Sequence, residues 1–145
     1  MQELTELINS TTIDAGTTIL RLFIGFLLGA AIGAERQARR REAGLRTFTL
    51  ICLGSTMSML VSIWIPQTYP NFLNGDPGRI AAQVLTGIGF LGAGAIIQGK
   101  GGVHGLTTAA GVWVVAVIGL AVGAGMFLPA IILTILTVVV LNAIE

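Results

Sequence analysis

The sequence predicts an all-α integral membrane protein, a bundle of about five transmembrane helices. Three observations carry this. First, 54% of the 145 residues are hydrophobic and only 10% are charged, whereas soluble domains average roughly 25% charge. Second, the charges are clustered. Arg36, Arg39, Arg40, Arg41, Glu42 and Arg46 form one block and Asp76 with Arg79 another, and beyond Lys100 the only fully charged side chain is Glu145. Third, the stretches between are apolar over the ~20 residues that cross a bilayer.

Residues 1–16 form a short acidic segment with Glu3, Glu6 and Asp14. It lacks the basic start of a secretory signal and is expected to stay attached. Residues 17–145 form the transmembrane domain. Its first run is Thr17 to Ala34, interrupted by Arg21. The second is Thr47 to Ile65, stopped by Pro66. The third is Ile80 to Gln98, introduced by Asp76-Pro77, where Asp suits an N-cap and Pro the first turn. Leu106 to Ile144 is too long for one span and fits two, with Gly123, Gly125 and Pro129 marking the turn. A four-span alternative needs one long, broken final segment.

Basic residues in short loops set orientation. The loop from Glu35 to Arg46 carries five arginines, and Gly99 to Gly105 carries Lys100 and His104. Both loops are therefore expected on the cytoplasmic side, with the N-terminus outside, Asn71 to Arg79 in an outer loop, and the C-terminus inside.

The same residues exclude several function classes. A net charge of +1 gives no field for nucleic acid, and the arginine block suits a loop beside a membrane. Cys52, the only cysteine, permits no internal disulfide or thiol cluster. Glu35 and Asp76 fall at opposite membrane faces, ~30 Å apart, and cannot share one ion. His104 has no cysteine or acid beside it in sequence. No metal or cofactor is expected, and no nucleophile–base pair points to catalysis.

Glycines and intramembrane polar residues are the remaining signals. Gly25, Gly29 and Gly33 make overlapping GxxxG spacings, which allow close helix approach. Gly87, Gly89, Gly92 and Gly94 thin the third span. The string Gly87-Ile-Gly89-Phe-Leu-Gly92 matches a dinucleotide fingerprint, but it lies within a span rather than between a strand and a helix. Two readings stand for it: tight packing, or an unwound segment offering backbone groups to a solute. Polar side chains in a membrane need partners or uses. Arg21 and Asp76, with Arg79 and Gln83 nearby, are expected as an outer cluster containing an Arg21–Asp76 ion pair. Glu35, Arg36, Arg46, Thr47, Gln98 and Thr107 are expected as an inner cluster, with Glu35, Arg36 and Arg46 paired. Interface anchoring by snorkelling side chains is the alternative at each end.

The strings LRLFIGFLLGAAIGAERQARRREAGLRTFTLICLGS, DPGRIAAQVLTGIGFLGAGAII and GLTTAAGVW together resemble the membrane domain of the MgtC/SapB family from about Leu20 onward. The ordered combination is specific, although each piece alone is weak. The resemblance implies a bacterial inner-membrane protein of about five spans, linked to magnesium limitation, acid stress, survival inside macrophages and virulence. It implies a non-enzymatic regulator, with the F-type ATP synthase or another membrane protein as partner. The alternative is a small-solute or magnesium transporter working as a homo-oligomer. Glu35 and Arg36 fall on its GAER motif, Arg46 and Thr47 on GLRT, and Asp76, Arg79 and Gln83 on DPxRIAAQ. Two features depart from the best-known members. These carry a soluble cytoplasmic domain after the last span, and they usually have Asn where Thr107 stands. A homodimer is expected from the glycine stripes.

Overall fold

A computed structural model of the chain describes residues 12–69, 76–99 and 102–143. It contains helices α1 (Ala15–Ala38), α2 (Leu45–Thr68), α3 (Gly78–Gly94), α4 (Leu106–Gly123) and α5 (Phe127–Ala143), with a short hairpin of β1 (Ile97–Gly99) and β2 (Gly102–His104) between α3 and α4. The fold is an all-α membrane bundle. Helices α1, α2 and α4 are long and apolar enough to cross a membrane. At 24 residues, α1 and α2 each extend about 36 Å, more than the hydrocarbon thickness. Helices α3 and α5, at 17 residues, reach about 25 Å.

Helix α1 starts where Asp14 and Thr17 form a reciprocal cap. The Thr17 amide donates to Asp14 Oδ1 at 2.7 Å, and the Asp14 amide donates to Thr17 Oγ1 at 2.9 Å. The Thr17 hydrogen bonds hold the Asp14 carboxyl below its ordinary pKa because they favour the charged form. The buried face of α1 comprises Thr17, Arg21, Gly25, Gly29, Ile32, Gly33 and Arg36, spaced for one side of a helix. Ile19, Phe23, Phe26 and Leu27 are exposed on α1, as lipid contact requires. The helix ends in a double backbone turn, with Arg40 N–H on Gln37 O and Arg41 N–H on Arg36 O. Arg40 takes φ 52° there, at the position such C-caps usually give to glycine.

Helices α2 and α4 form the middle of the bundle, since each packs on three or more neighbours. Helix α2 meets α1, α3 and α4, while α4 meets α1, α2, α3 and α5. The core is built on Ile32, Phe48, Cys52, Val112, Val115, Ala116, Ile118 and Val122. Hydroxyls within the helices bond to carbonyls one turn back, as in Thr56 to Cys52 O at 2.9 Å and Thr134 to Ala130 O at 2.8 Å. These hydroxyls carry no unmet donor into an apolar setting, whereas the buried Thr49 Oγ1 has no hydrogen-bond partner among the described residues.

The element boundaries correct the sequence reading in three places. Pro66 does not stop the second helix, which runs to Thr68. Proline removes only its own amide bond to residue i−4, and the Tyr69 amide still reaches Ile65 O at 3.0 Å. The third helix starts earlier and ends at Gly94, so Gln98 lies in β1 rather than in a span. Its closing Gly92-Ala-Gly94 has poor helix propensity. The Gly87–Gly94 run is continuous helix, so the unwound alternative is set aside. The turn after α4 falls where the glycines placed it. Gly125 has φ 83°, and the Gly125 and Met126 amides bond back to Val122 O and Ala121 O.

Candidate functional site

The polar residues gather at the two ends of the bundle, but with partners other than those expected. Arg21 is 2% exposed and its Nη1 donates to Gly123 O at 2.8 Å. Gly123 ends α4, where unpaired carbonyls concentrate negative charge, so a buried guanidinium there acts as a C-cap. A Cβ on Gly125 would sit 3.1 Å from Arg21 Nη2, so the turn glycine admits the arginine. Asp76 instead accepts from the Gly78 amide at 2.7 Å and caps the start of α3. Ser62 Oγ of α2 donates to Pro77 O at 2.6 Å, fastening that start to the neighbouring helix. Among the described residues the ion pairs are Glu35–Arg36 and Glu35–Arg39; the expected Arg21–Asp76 pair is not among them. Arg79 and Gln83 are exposed beside Asp76.

At the other end the expected acid–base network has a different membership. Glu35 accepts from both Nε and Nη2 of Arg36, the latter at 2.8 Å, and Arg39 Nε lies 2.9 Å from Glu35 Oε1. Arg36 Nη2 also reaches Leu141 O at 3.3 Å. Arg39 Nη2 bonds Asn142 Oδ1 at 2.9 Å. Thus Arg36 and Arg39 cap the end of α5 as Arg21 caps the end of α4. Arg46 and Thr47 are exposed; Arg39 holds the place expected of Arg46. The reason is helical spacing. Residues i and i+4 share a face, so Glu35 meets Arg39, whereas Arg46 belongs to the next helix.

A cleft of roughly 600 Å³ opens beside this network, lined by Arg36, Arg41, Glu42, His104, Thr107 and Thr108. Val103, Leu106, Val140 and Leu141 complete it on the apolar side. It is the place where two sequence candidates, Arg36 and Thr107, come together. Arg41 and His104 were not singled out by sequence reasoning as binding residues. Their signal was topological: only folding brings the arginine loop against the start of α4. Asn142, a lone polar residue in the last apolar helix, was the visible sign of the Arg39 contact.

Among the described residues no three His, Cys, Asp or Glu side chains come together to hold a metal. Glu35 is already neutralised by two arginines.

The glycines divide into two groups. A Cβ on Gly25 would lie 2.6 Å from Thr56 Oγ1, on Gly29 2.6 Å from Cys52 Cβ, and on Gly33 2.7 Å from Leu45 Cα. Helices α1 and α2 therefore touch along the whole stripe. Gly119 and Gly123 of α4 press on an adjoining face of α2, against Ser55 Cβ at 2.8 Å and Thr56 O at 2.6 Å, so that Cys52 and Thr56 are met from both helices. This second GxxxG spacing was legible in the sequence and overlooked. On α3, Gly92 lies 3.6 Å from Ala109 O by the same measure, whereas Gly87, Gly89 and Gly94 meet nothing within 4 Å.

Comparison with known proteins identifies relatives of the chain. Residues 22–145 match the MgtC family. The chain is 45% identical over 126 residues to "Putative magnesium transporter YhiD" of Escherichia coli, covering 86% of this chain and 59% of that protein. It is 49% identical over 118 residues to Protein MgtC of Salmonella typhimurium, covering 81% of this chain and 48% of that protein. A Haemophilus influenzae protein without an assigned role is 40% identical, covering 82% of this chain and 52% of that protein. The chain thus spans about half the length of these relatives. No solved structure matches.

Proposed function

Because the chain belongs to the MgtC family, we propose that it is a non-enzymatic membrane regulator acting in magnesium limitation, acid stress or intracellular survival. One observation carries this choice over transport. Helix α2 is held by glycines whose missing side chains leave no room, at Gly25, Gly29 and Gly33 of α1 and at Gly119 and Gly123 of α4. A solute path needs space and polar lining; this seam supplies contact and rigidity. At the two ends Arg21, Arg36 and Arg39 are engaged by helix-end carbonyls, which suits a stable scaffold that meets a partner.

In this reading the partner is the F-type ATP synthase or another membrane protein. The arginine loop faces the cytoplasm of a bacterial inner membrane, with the N-terminus outside. Transport is the second reading, and a specific feature favours it. Gly87, Gly89 and Gly94 are open on α3, so a homodimer could build a path between copies, and one relative's printed name is that of a magnesium transporter.

Liposome flux decides between the two. Purified full-length chain in vesicles with an internal magnesium indicator should give no flux above empty vesicles. Saturable magnesium entry that scales with protein would overturn the regulator reading.

A further inference from the structure

We propose that the cleft between the arginine loop and the start of α4 is a binding site for a phosphate group. The proposal stands apart from the choice between regulator and transporter.

One wall of the cleft is basic, with Arg36, Arg41 and His104. Arg36 is 2% exposed and is fixed by Glu35 and Leu141 O, so its charge stays beside the cleft. Glu42 is the one acidic residue of the lining. Among the charged lining residues two are arginines and one is a glutamate, leaving an excess of positive charge for an anion.

The first turn of α4 forms another wall of the cleft, next to His104. Gly105 occupies the N-cap with φ 88°, and no side chain caps the turn. The amides of the first helical residues have no acceptor inside the helix, and they carry the positive end of its dipole. Such ends bind phosphate when a cavity presents it. The hydroxyls of Thr107 and Thr108 share that wall. Glycine is required at position 105 because a Cβ there would collide with Ala95 O. The backbone conformation that leaves the turn without a side-chain cap is thus imposed by packing against the end of α3.

The third feature is location. Val103, Leu106, Val140 and Leu141 border the cleft, and Leu106 and Val140 are exposed on the helices themselves. A lipid phosphate could sit in the cleft with its acyl chains along α5. A free phosphate would use the same donors. The shared chemistry is the phosphate group, and the source is an experimental question.

The test uses the full-length chain in an uncharged detergent, with calorimetry and native mass spectrometry. The probes are dihexanoyl phosphatidylglycerol, dihexanoyl glycerol (the same lipid without its phosphate) and inorganic phosphate. Arg41→Gln combined with His104→Gln should weaken binding of a phosphate probe by at least about tenfold, the effect of losing one charge-assisted hydrogen bond. Both residues are exposed, and circular dichroism checks that the variant folds as the parent does. Arg40→Gln, in the same loop but outside the lining, should bind as the parent. Lipid binding without inorganic phosphate binding assigns the site to a headgroup; binding of both assigns it to phosphate at large. The proposal is overturned by dihexanoyl glycerol binding as well as its phosphorylated form, by no phosphate probe binding, by a double variant equal to the parent, or by Arg40→Gln causing the same loss.

Discussion

Replacing Gly119 by alanine isolates the contact between α4 and α2. The new methyl would lie 2.8 Å from Ser55 Cβ and closer still to Cys52 O. A side chain could rotate away, but a backbone carbonyl inside a helix cannot, so the helices must part. Overpacking of this kind costs about 1–3 kcal/mol. Alanine also returns about 1 kcal/mol through helix propensity, which would mask part of the loss. Gly54→Ala removes that ambiguity. It lies on α2, and nothing stands within 4 Å of its added methyl, so it carries the propensity gain alone. The difference between the two variants should therefore be ~1–3 kcal/mol, with Gly119→Ala the less stable. Reversible unfolding in mixed micelles with increasing dodecyl sulfate, followed by far-ultraviolet circular dichroism, measures it. A Gly119→Ala protein as stable as Gly54→Ala would refute the claim that this seam is filled.

Four further outcomes follow from the same structure. Glu35→Gln should destabilise the protein by about 1.5–3 kcal/mol, because it removes a charged acceptor from Arg36 and Arg39; adding Arg36→Met should recover part of the loss, and a double-mutant cycle reads the coupling. Arg21→Met should cost about 1.5–3 kcal/mol through loss of the charged cap on Gly123 O. Combined with Asp76→Asn it should add within about 0.5 kcal/mol, since the two residues hold different partners; strong coupling in unfolding experiments would restore the ion pair. Cysteines placed at Arg40 and Tyr69 should be labelled from opposite sides of the membrane by an impermeant maleimide, and labelling from one side would end the proposed topology. Gly89→Leu should abolish the proposed homodimer while leaving the monomer's melting unchanged, as scored by light scattering and circular dichroism.

The fold was legible because lipid makes a simple demand. Apolar length, charge clusters and the Gly123–Gly125 break gave five helices in the right order. The hairpin at Ile97–His104 was not legible, since three-residue strands leave almost no periodic signal. Polar residues were expected at two ends, and the structure gives them partners other than those expected. Sequence reasoning matched acids with bases, as at Arg21 and Asp76. The structure adds helix-end carbonyls as partners of Arg21, Arg36 and Arg39, which every sequence contains and none displays. Arg39 was passed over for Arg46 for a related reason: motif membership drew notice to the latter, whereas i,i+4 spacing from Glu35 favours the former.

The caps on α4 and α5 also bear on assembly. Arg21 reaches a carbonyl 102 residues ahead, and Arg36 one 105 residues ahead. When α1 enters the membrane its future acceptors do not yet exist there. Arg36 and Arg39 then have Glu35 beside them at the membrane edge, and Arg21 lies near the opposite edge. Arrival of the last two helices is thus chemically registered by the first. Each end of α1 accepts a helix terminus only if that helix has crossed in the correct direction, because an inverted helix would bring amide donors, not carbonyl acceptors, to a guanidinium. The first span acts as a polarity check on the last two.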